Sequence, residues 1–330
     1  MKRRPILLAI GAALCGVTLG AVAQPVPTPK RVGCLWPGTA DSPKGPFRLI
    51  FESRLRELGW IDGHNLVLVD RFWQSDIGRA EILARELEAE KMDVIHTVFS
   101  PAVRAAHKGA PSTPIVFSIV SDPVSAGLVA SLARPGGNIT GASTREAELY
   151  RKRIQLVTEL LPRAKRVAAL IDSPPTEEVE RRVKDLIGTG TQLGLQVEAI
   201  NVDSAADVGP AFDRMTRGRV DVVLVFLYFR QTPEYRRMVV DQAARTHLPA
   251  VYPWAEFVDL GGLMAYSQNP KELARRAANY VDKILRGARP ADLPVEEPNA
   301  FELVINLRTA KALGITIPQN VLLRADRVIE

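Results

Sequence analysis

"RVGCL" at 31–35 returns as "RVAAL" at 166–170, and this return sets the architecture of the chain. Both are short apolar runs, the form taken by a strand buried on both faces of a parallel sheet. The helix-ending Leu58-Gly59 returns as Leu193-Gly194, Pro114 with Val116 as Pro249 with Val251, and Gly127-Leu128 as Gly262-Leu263, all at the same offset of 135 residues. Asp93-Val94 matches Asp221-Val222 at an offset of 128, which implies a shorter connection in the second copy. Several anchors at one offset and in one order imply two structurally similar lobes.

Strands and helices alternate around these anchors. "RVGCLWPG" is followed by the helical "FRLIFESRLRELGW", then "NLVLVDRF", a helix from about Arg79 to Lys91, "MDVIHTV", a helix around Val103 to Lys108, and "PIVFSIV". This β-α-β-α-β-α-β order is that of a parallel, doubly wound sheet. The expected fold class is therefore α/β, with two Rossmann-like lobes. A length of 330 residues agrees, since it exceeds one comfortable core and fits domains of about 150 residues each. Hydrophobic content of 46% and charged content of 24% exclude a disordered, fibrous or multi-spanning chain.

Residues 1–23 read as a secretory signal: Lys2, Arg3 and Arg4, an apolar stretch from Pro5 to Gly20, and the small-x-small site Ala21-Val22-Ala23 before Gln24. The apolar stretch is shorter than the roughly 20 residues a membrane span needs. A lipid anchor on Cys15 is disfavoured by the Leu14 before it. The expected product is soluble and periplasmic. Removing the three cations takes the net charge from +6 to +3, too mild and too scattered to imply a nucleic-acid partner. Only Cys34 then remains, so no intrachain disulfide is expected, and its place in an apolar strand makes it a core residue.

Catalytic patterns are absent. His64, His96, His107 and His247 have no metal-ligand spacing, and there is no Gly-x-Ser-x-Gly elbow. "GTGTQLG" (188–194) imitates a dinucleotide fingerprint but lies late in a helix, before a strand. His96 either lines a cleft or sits satisfied in the core. The expectation is no enzyme, no metal and no cofactor.

The strand ends carry a different pattern. Ser100-Pro101, Asp122-Pro123, Ser173-Pro174 and Thr232-Pro233 each pair a capping residue with proline, the mark of a helix start. Helix N-termini gathered at one edge of two lobes suit a carboxylate or another oxyanion. Ligand-binding candidates at strand ends are Trp36, Thr39, Ser100, Ser121, Asp122, Asp172, Phe226, Tyr228, Tyr252, Glu256 and Tyr266. The aromatics favour a planar or apolar ligand, although each can instead pack under a loop. Asp122, Asp172 and Glu256 can hold an ammonium, although each can equally be a cap.

"VFSIVSDPVSAGLVASLARPGGNITGAST", "EFVDLGGLMAYS", "RRAANYVDKILRGARPADLPVEEPNAFELVINLRTAKALGITIP" and "LLRADRVIE" resemble the ABC-transporter substrate-binding family that includes tryptophan- and tyrosine-binding lipoproteins. The resemblance implies a type I periplasmic-binding-protein fold, with ligand trapped between lobes joined by a three-crossing hinge. On it, the lobes are 24–142 plus 267–294 and 143–266 plus 295–330. The implied function is capture of a small organic ligand, amino-acid-like or a carboxylate, for membrane permease subunits of an ABC importer, by a monomer. The alternative is an exported sensory binding protein that presents its ligand-bound form to a receptor kinase.

Overall fold

The computed structural model describes residues 28–41, 44–74, 76–173, 175–228, 232–298 and 300–330, with the backbone alone at 227–228. The signal segment, Cys15 and Pro174 lie outside the described residues. The element order is β1 (Lys30–Trp36), α1 (Pro46–Glu57), β2 (Leu66–Phe72), α2 (Ile77–Ala89), β3 (Val94–Val98), α3 (Ser100–Gly109), β4 (Ile115–Val120), β5 (Ile139–Ser143) and α4 (Glu146–Leu160). It continues through β6 (Arg166–Asp172), α5 (Glu177–Gln192), β7 (Gln196–Asn201), α6 (Val208–Arg217), β8 (Val222–Tyr228), α7 (Pro233–Arg245), β9 (Ala250–Tyr252), α8 (Ala255–Asp259) and β10 (Met264–Gln268). The chain closes with α9 (Pro270–Leu285), β11 (Phe301–Asn306), α10 (Leu307–Ala312), α11 (Gln319–Leu322) and β12 (Arg327–Ile329).

These elements make two sheets. The first has the order β2-β1-β3-β4-β5, and the second contains β10-β9-β8-β6-β7, the same order in the second repeat. The internal offset survives at element ends: α1 and α5 stop at Glu57 and Gln192, and β4 and β9 begin at Ile115 and Ala250. All pairings within each repeat are parallel; the second sheet is extended by β11, antiparallel to β10, and by β12. Both faces of each sheet are covered, because alternate residues of one strand enter different cores. Val32, Cys34 and Trp36 of β1 pack toward α1 and α9, while Leu35 joins the cluster under α2 and α3. Cys34 is thus a core residue, and burial raises its thiol pKa well above the usual range.

The helix α9 belongs spatially to the first sheet although it follows β10 of the second. Ala274, Ala277 and Ala278 give it a flat apolar face, and Arg54 and Trp60 donate to Asn279 and Asp282 at 2.9 and 2.8 Å. The chain then runs beside β5, where Glu296 N donates to Gly141 O at 3.1 Å, before entering β11. Passages after β5, after β10 and after Glu296 therefore connect the two sheets. Among the described residues no helix is long and apolar enough to cross a membrane.

Candidate functional site

The carboxyl ends of both sheets face a cleft that holds two chambers. The aromatic chamber, about 180 Å³, is bounded on one side by Trp36, Phe47, Phe72 and Phe99, and on the other by Thr232, Arg236, Trp254 and Glu256. Trp36 ends β1, and its indole nitrogen donates to Asp70 Oδ1 at 2.6 Å. The same carboxylate pairs with Arg48, which also reaches Glu52 at 3.0 Å and lies over the Trp36 and Phe72 rings at 5.9 and 5.6 Å. Lys44 adds a second cation to Glu52 at 2.7 Å. The charges that the first lobe brings to this chamber are thus neutralised within that lobe.

The second lobe brings two charged residues to this chamber, Arg236 and Glu256. Arg236 lies on the first turn-and-a-half of α7, whose N-cap Thr232 accepts from Tyr235 N at 3.2 Å. Among the described residues no acidic group pairs with Arg236. Glu256, on the short α8, has a buried Oε2 with no hydrogen-bond partner. The two line one chamber without pairing to each other, an arrangement that costs free energy unless something completes it.

The ionic chamber, about 490 Å³, lies beside the first and is lined by Ser100, Arg104, Lys108 and Ser121 of the first lobe and by Ser173, Glu178 and Arg182 of the second. Its charges are mostly satisfied internally: Arg104 meets Glu178 across the cleft at 3.5 Å, and Lys108 meets Glu81 at 2.9 Å. Arg182 lies over the Phe226 ring at 5.8 Å.

The structure separates the sequence-derived candidates. Trp36, Thr39 and Glu256 line the aromatic chamber, and Ser100 and Ser121 the ionic one. Asp122 is exposed, accepts from Ser125 N at 2.9 Å and lines neither chamber. Asp172 is buried at the end of β6. Phe226 packs edge-on against Tyr150 at 5.2 Å, and Tyr252 stacks on Phe257 at 4.9 Å, both within the second-lobe core. Tyr266 instead borders a shallow hollow with Phe301 and α4. The Tyr228 side chain lies outside the described residues. His96 is a core residue, stacked on Phe51 at 4.6 Å and 3.2 Å from Ser118 Oγ, and burial lowers its pKa to about 3. Among the described residues no cluster of side chains could hold a metal.

Helices do start at Ser100-Pro101 and at Thr232-Pro233, whereas the expected cap at Ser100 and the expected starts at Asp122 and Ser173 are corrected. Ser100 is the first residue of α3, and the cap position before it belongs to Phe99. Pro123 opens only one turn, closed by Ala126 N to Asp122 O at 3.0 Å and ended at Gly127 with φ 68°. The start of α5 is capped by Thr176, which accepts from Val179 N at 3.2 Å, and not by Ser173. The sequence reading missed Phe47, Phe99, Ile119, Arg236 and Trp254. Trp254 was within reach of it, as one more aromatic at the β9 end, and Arg236 as the residue one turn beyond the Thr232-Pro233 start.

Known proteins are similar to this chain in sequence and in fold. The Tyrosine-binding protein of Clostridioides difficile (strain R20291) is 27% identical over 270 residues, which are 80% of this chain and 75% of that protein. A solved ABC domain from Streptococcus pneumoniae in complex with L-Trp superposes with a TM-score of 0.78 at 24% identity, covering 92% of this chain and all (100%) of the other. A conserved domain protein from Vibrio cholerae superposes with a TM-score of 0.80 at 25% identity, covering 91% and 99%. The shared architecture is the type I periplasmic-binding-protein fold. The profile described as "ABC transporter substrate binding protein" matches residues 50–329, and the chain belongs to that family.

Proposed function

We propose that this protein is an extracytoplasmic receptor that captures a free aromatic α-amino acid in the aromatic chamber and delivers it to the permease of an ABC importer. The observation that carries this reading is the presence of Arg236 and Glu256, opposite in charge and without an ion-pair partner among the described residues, in one aromatic-walled chamber. A zwitterion completes both at once: Arg236 and the N-terminus of α7 take the carboxylate, and Glu256 takes the ammonium. Trp36, Phe47, Phe99 and Trp254 then enclose a planar side chain. The Tyrosine-binding relative and the L-Trp complex support this class of ligand.

Since the aromatic walls come mainly from one lobe and the charged groups from the other, the ligand favours the closed arrangement over the open one. The moving bodies are 24–142 with 267–294 and 143–266 with 295–330. Export with loss of residues 1–23, a soluble monomeric product and the absence of turnover belong to the same reading. Titration calorimetry with L-tryptophan, L-tyrosine, tryptamine and indole-3-acetate tests it. The amino acids are expected to bind, and the analogues lacking the carboxylate or the ammonium to bind at least about tenfold more weakly. Binding of neither amino acid sinks the proposal. Loss of amino-acid uptake on deletion of the gene tests the delivery step.

A further inference from the structure

The two chambers share a wall. Among the described residues, Phe99 and Ile119 line both. On one side of Phe99 the chain gives Val98 to the aromatic chamber, and on the other it gives Ser100 to the ionic one. Both shared residues are half-buried, and both have positive φ, 68° for Phe99 and 58° for Ile119. This region is sparsely used by residues other than glycine, and for a β-branched side chain it is a genuine outlier. The cause at Ile119 is visible: the register between β4 and β5 shifts between Ser118 and Val120, which leaves Ile119 as the extra residue of a bulge. Bulges re-aim a side chain. Phe99 is tied to the same place, because its backbone N–H donates to Ser118 O at 3.1 Å.

The sheet requires neither side chain, since a glycine would adopt the same backbone at both positions without steric strain. Strain kept at two adjoining positions in a cleft points to a role for the side chains that it aims. We propose that Phe99 and Ile119 form a septum that sets the upper size limit of the ligand. The aromatic chamber then admits a free amino acid and rejects one lengthened by a peptide bond. A chamber of about 180 Å³ lies below the roughly 300–1,000 Å³ usual for ligand pockets, whereas opening it into the neighbouring space removes that limit. The inference rests on the amino-acid reading of the aromatic chamber and adds the device that makes it selective.

The test compares the parent with Phe99→Gly, Ile119→Gly and the double variant. Glycine deletes each side chain and relaxes its backbone, so the variants are expected to fold. Ile119→Gly should melt no lower than Ile119→Ala, the reverse of the usual order in a strand, and a much lower melt overturns the strain argument. In titrations, the parent is expected to bind L-tryptophan at least about 100-fold more tightly than glycyl-L-tryptophan or L-tryptophylglycine. The double variant should narrow that gap by about tenfold or more through gained dipeptide affinity. A folded double variant with the parent's selectivity, or a parent that binds dipeptides equally well, overturns the septum. If the parent binds neither amino acid nor dipeptide, the amino-acid reading fails by itself. The septum is then decided by 8-anilinonaphthalene-1-sulfonate, a dye too large for one chamber: about tenfold tighter binding to the double variant supports it, and equal binding overturns it.

Discussion

Glu256 carries a buried carboxylate oxygen with no partner, and an orphaned polar group of this kind costs about 1–3 kcal/mol. Glu256→Gln removes the charge while keeping the shape. The ligand-free variant should therefore unfold at a denaturant midpoint no lower than the parent's, while its affinity for L-tryptophan falls by about 2 kcal/mol, roughly thirtyfold. An unchanged affinity would remove Glu256 from the ligand site. His96 supplies a second, pH-dependent test. It is buried among aromatic rings with a pKa of about 3, against about 6.5 in the unfolded chain. Between these values the unfolded state binds more protons than the folded state. Stability should thus rise with pH through this window and fall as pH drops below about 6.5, by up to about 1.4 kcal/mol per unit. His96→Phe should show a shallower slope than the parent in melts from about pH 6.5 to 4.5. Identical slopes would mean that the imidazole is charged, or solvated, in the native state.

The helices α2 and α3 touch through Gly109. A Cβ there would stand 2.4 Å from Glu81 O and 2.9 Å from the Ala84 Cβ, so only glycine lets the two backbones approach. Gly109→Ala should cost about 1–3 kcal/mol in urea unfolding as the helices are forced apart. It should also disturb the ionic chamber, which the same helices flank through Glu81, Ala105 and Lys108. A loss within experimental error would show that α3 can shift freely. The helix starts show how far local sequence carries at this level. A Ser, Thr or Asp before proline reliably marks a turn, and at Thr232 the turn grows into a helix. After Asp122 it does not, because Gly127 takes a left-handed backbone and ends the turn. At α5 the chain continues past Ser173 to Thr176, where Glu177, Glu178 and Glu180 complement the helix N-terminus.

Across the cleft, Arg104 of the first lobe meets Glu178 of the second at 3.5 Å and is held by Ala126 O at 2.8 Å. The guanidinium is about half exposed, so the pair is worth about 0–1 kcal/mol. Arg104→Ala should lower ligand affinity by no more than about fivefold in low salt, and by nothing measurable at about 1 M salt, where the screening length is near 3 Å. Titrations at both ionic strengths decide. A larger or salt-independent loss would make Arg104 part of the ligand site and not a contact between lobes.

Periodicity, the 135-residue offset and the punctuation by glycine and proline were enough to give two parallel α/β lobes, since buried strands and their covering helices are specified by local apolar pattern. They also placed Trp36, Thr39 and Glu256 at strand ends that do line the aromatic chamber. Local pattern could not say which face of a strand end meets the cleft and which meets the core, because the two faces of these sheets are equally apolar. That is why Phe226 and Tyr252 fell to the core. Nor could it show every charge that is neutralised: Glu52, four residues on in α1, is a local partner for Arg48, but only the fold brings Asp70 to that guanidinium and, among the described residues, leaves Arg236 without an acidic partner. Ile119 lies in the middle of an apolar run in the sequence; pairing with β5, a tertiary event, makes it a bulge and turns its side chain into the wall between two chambers.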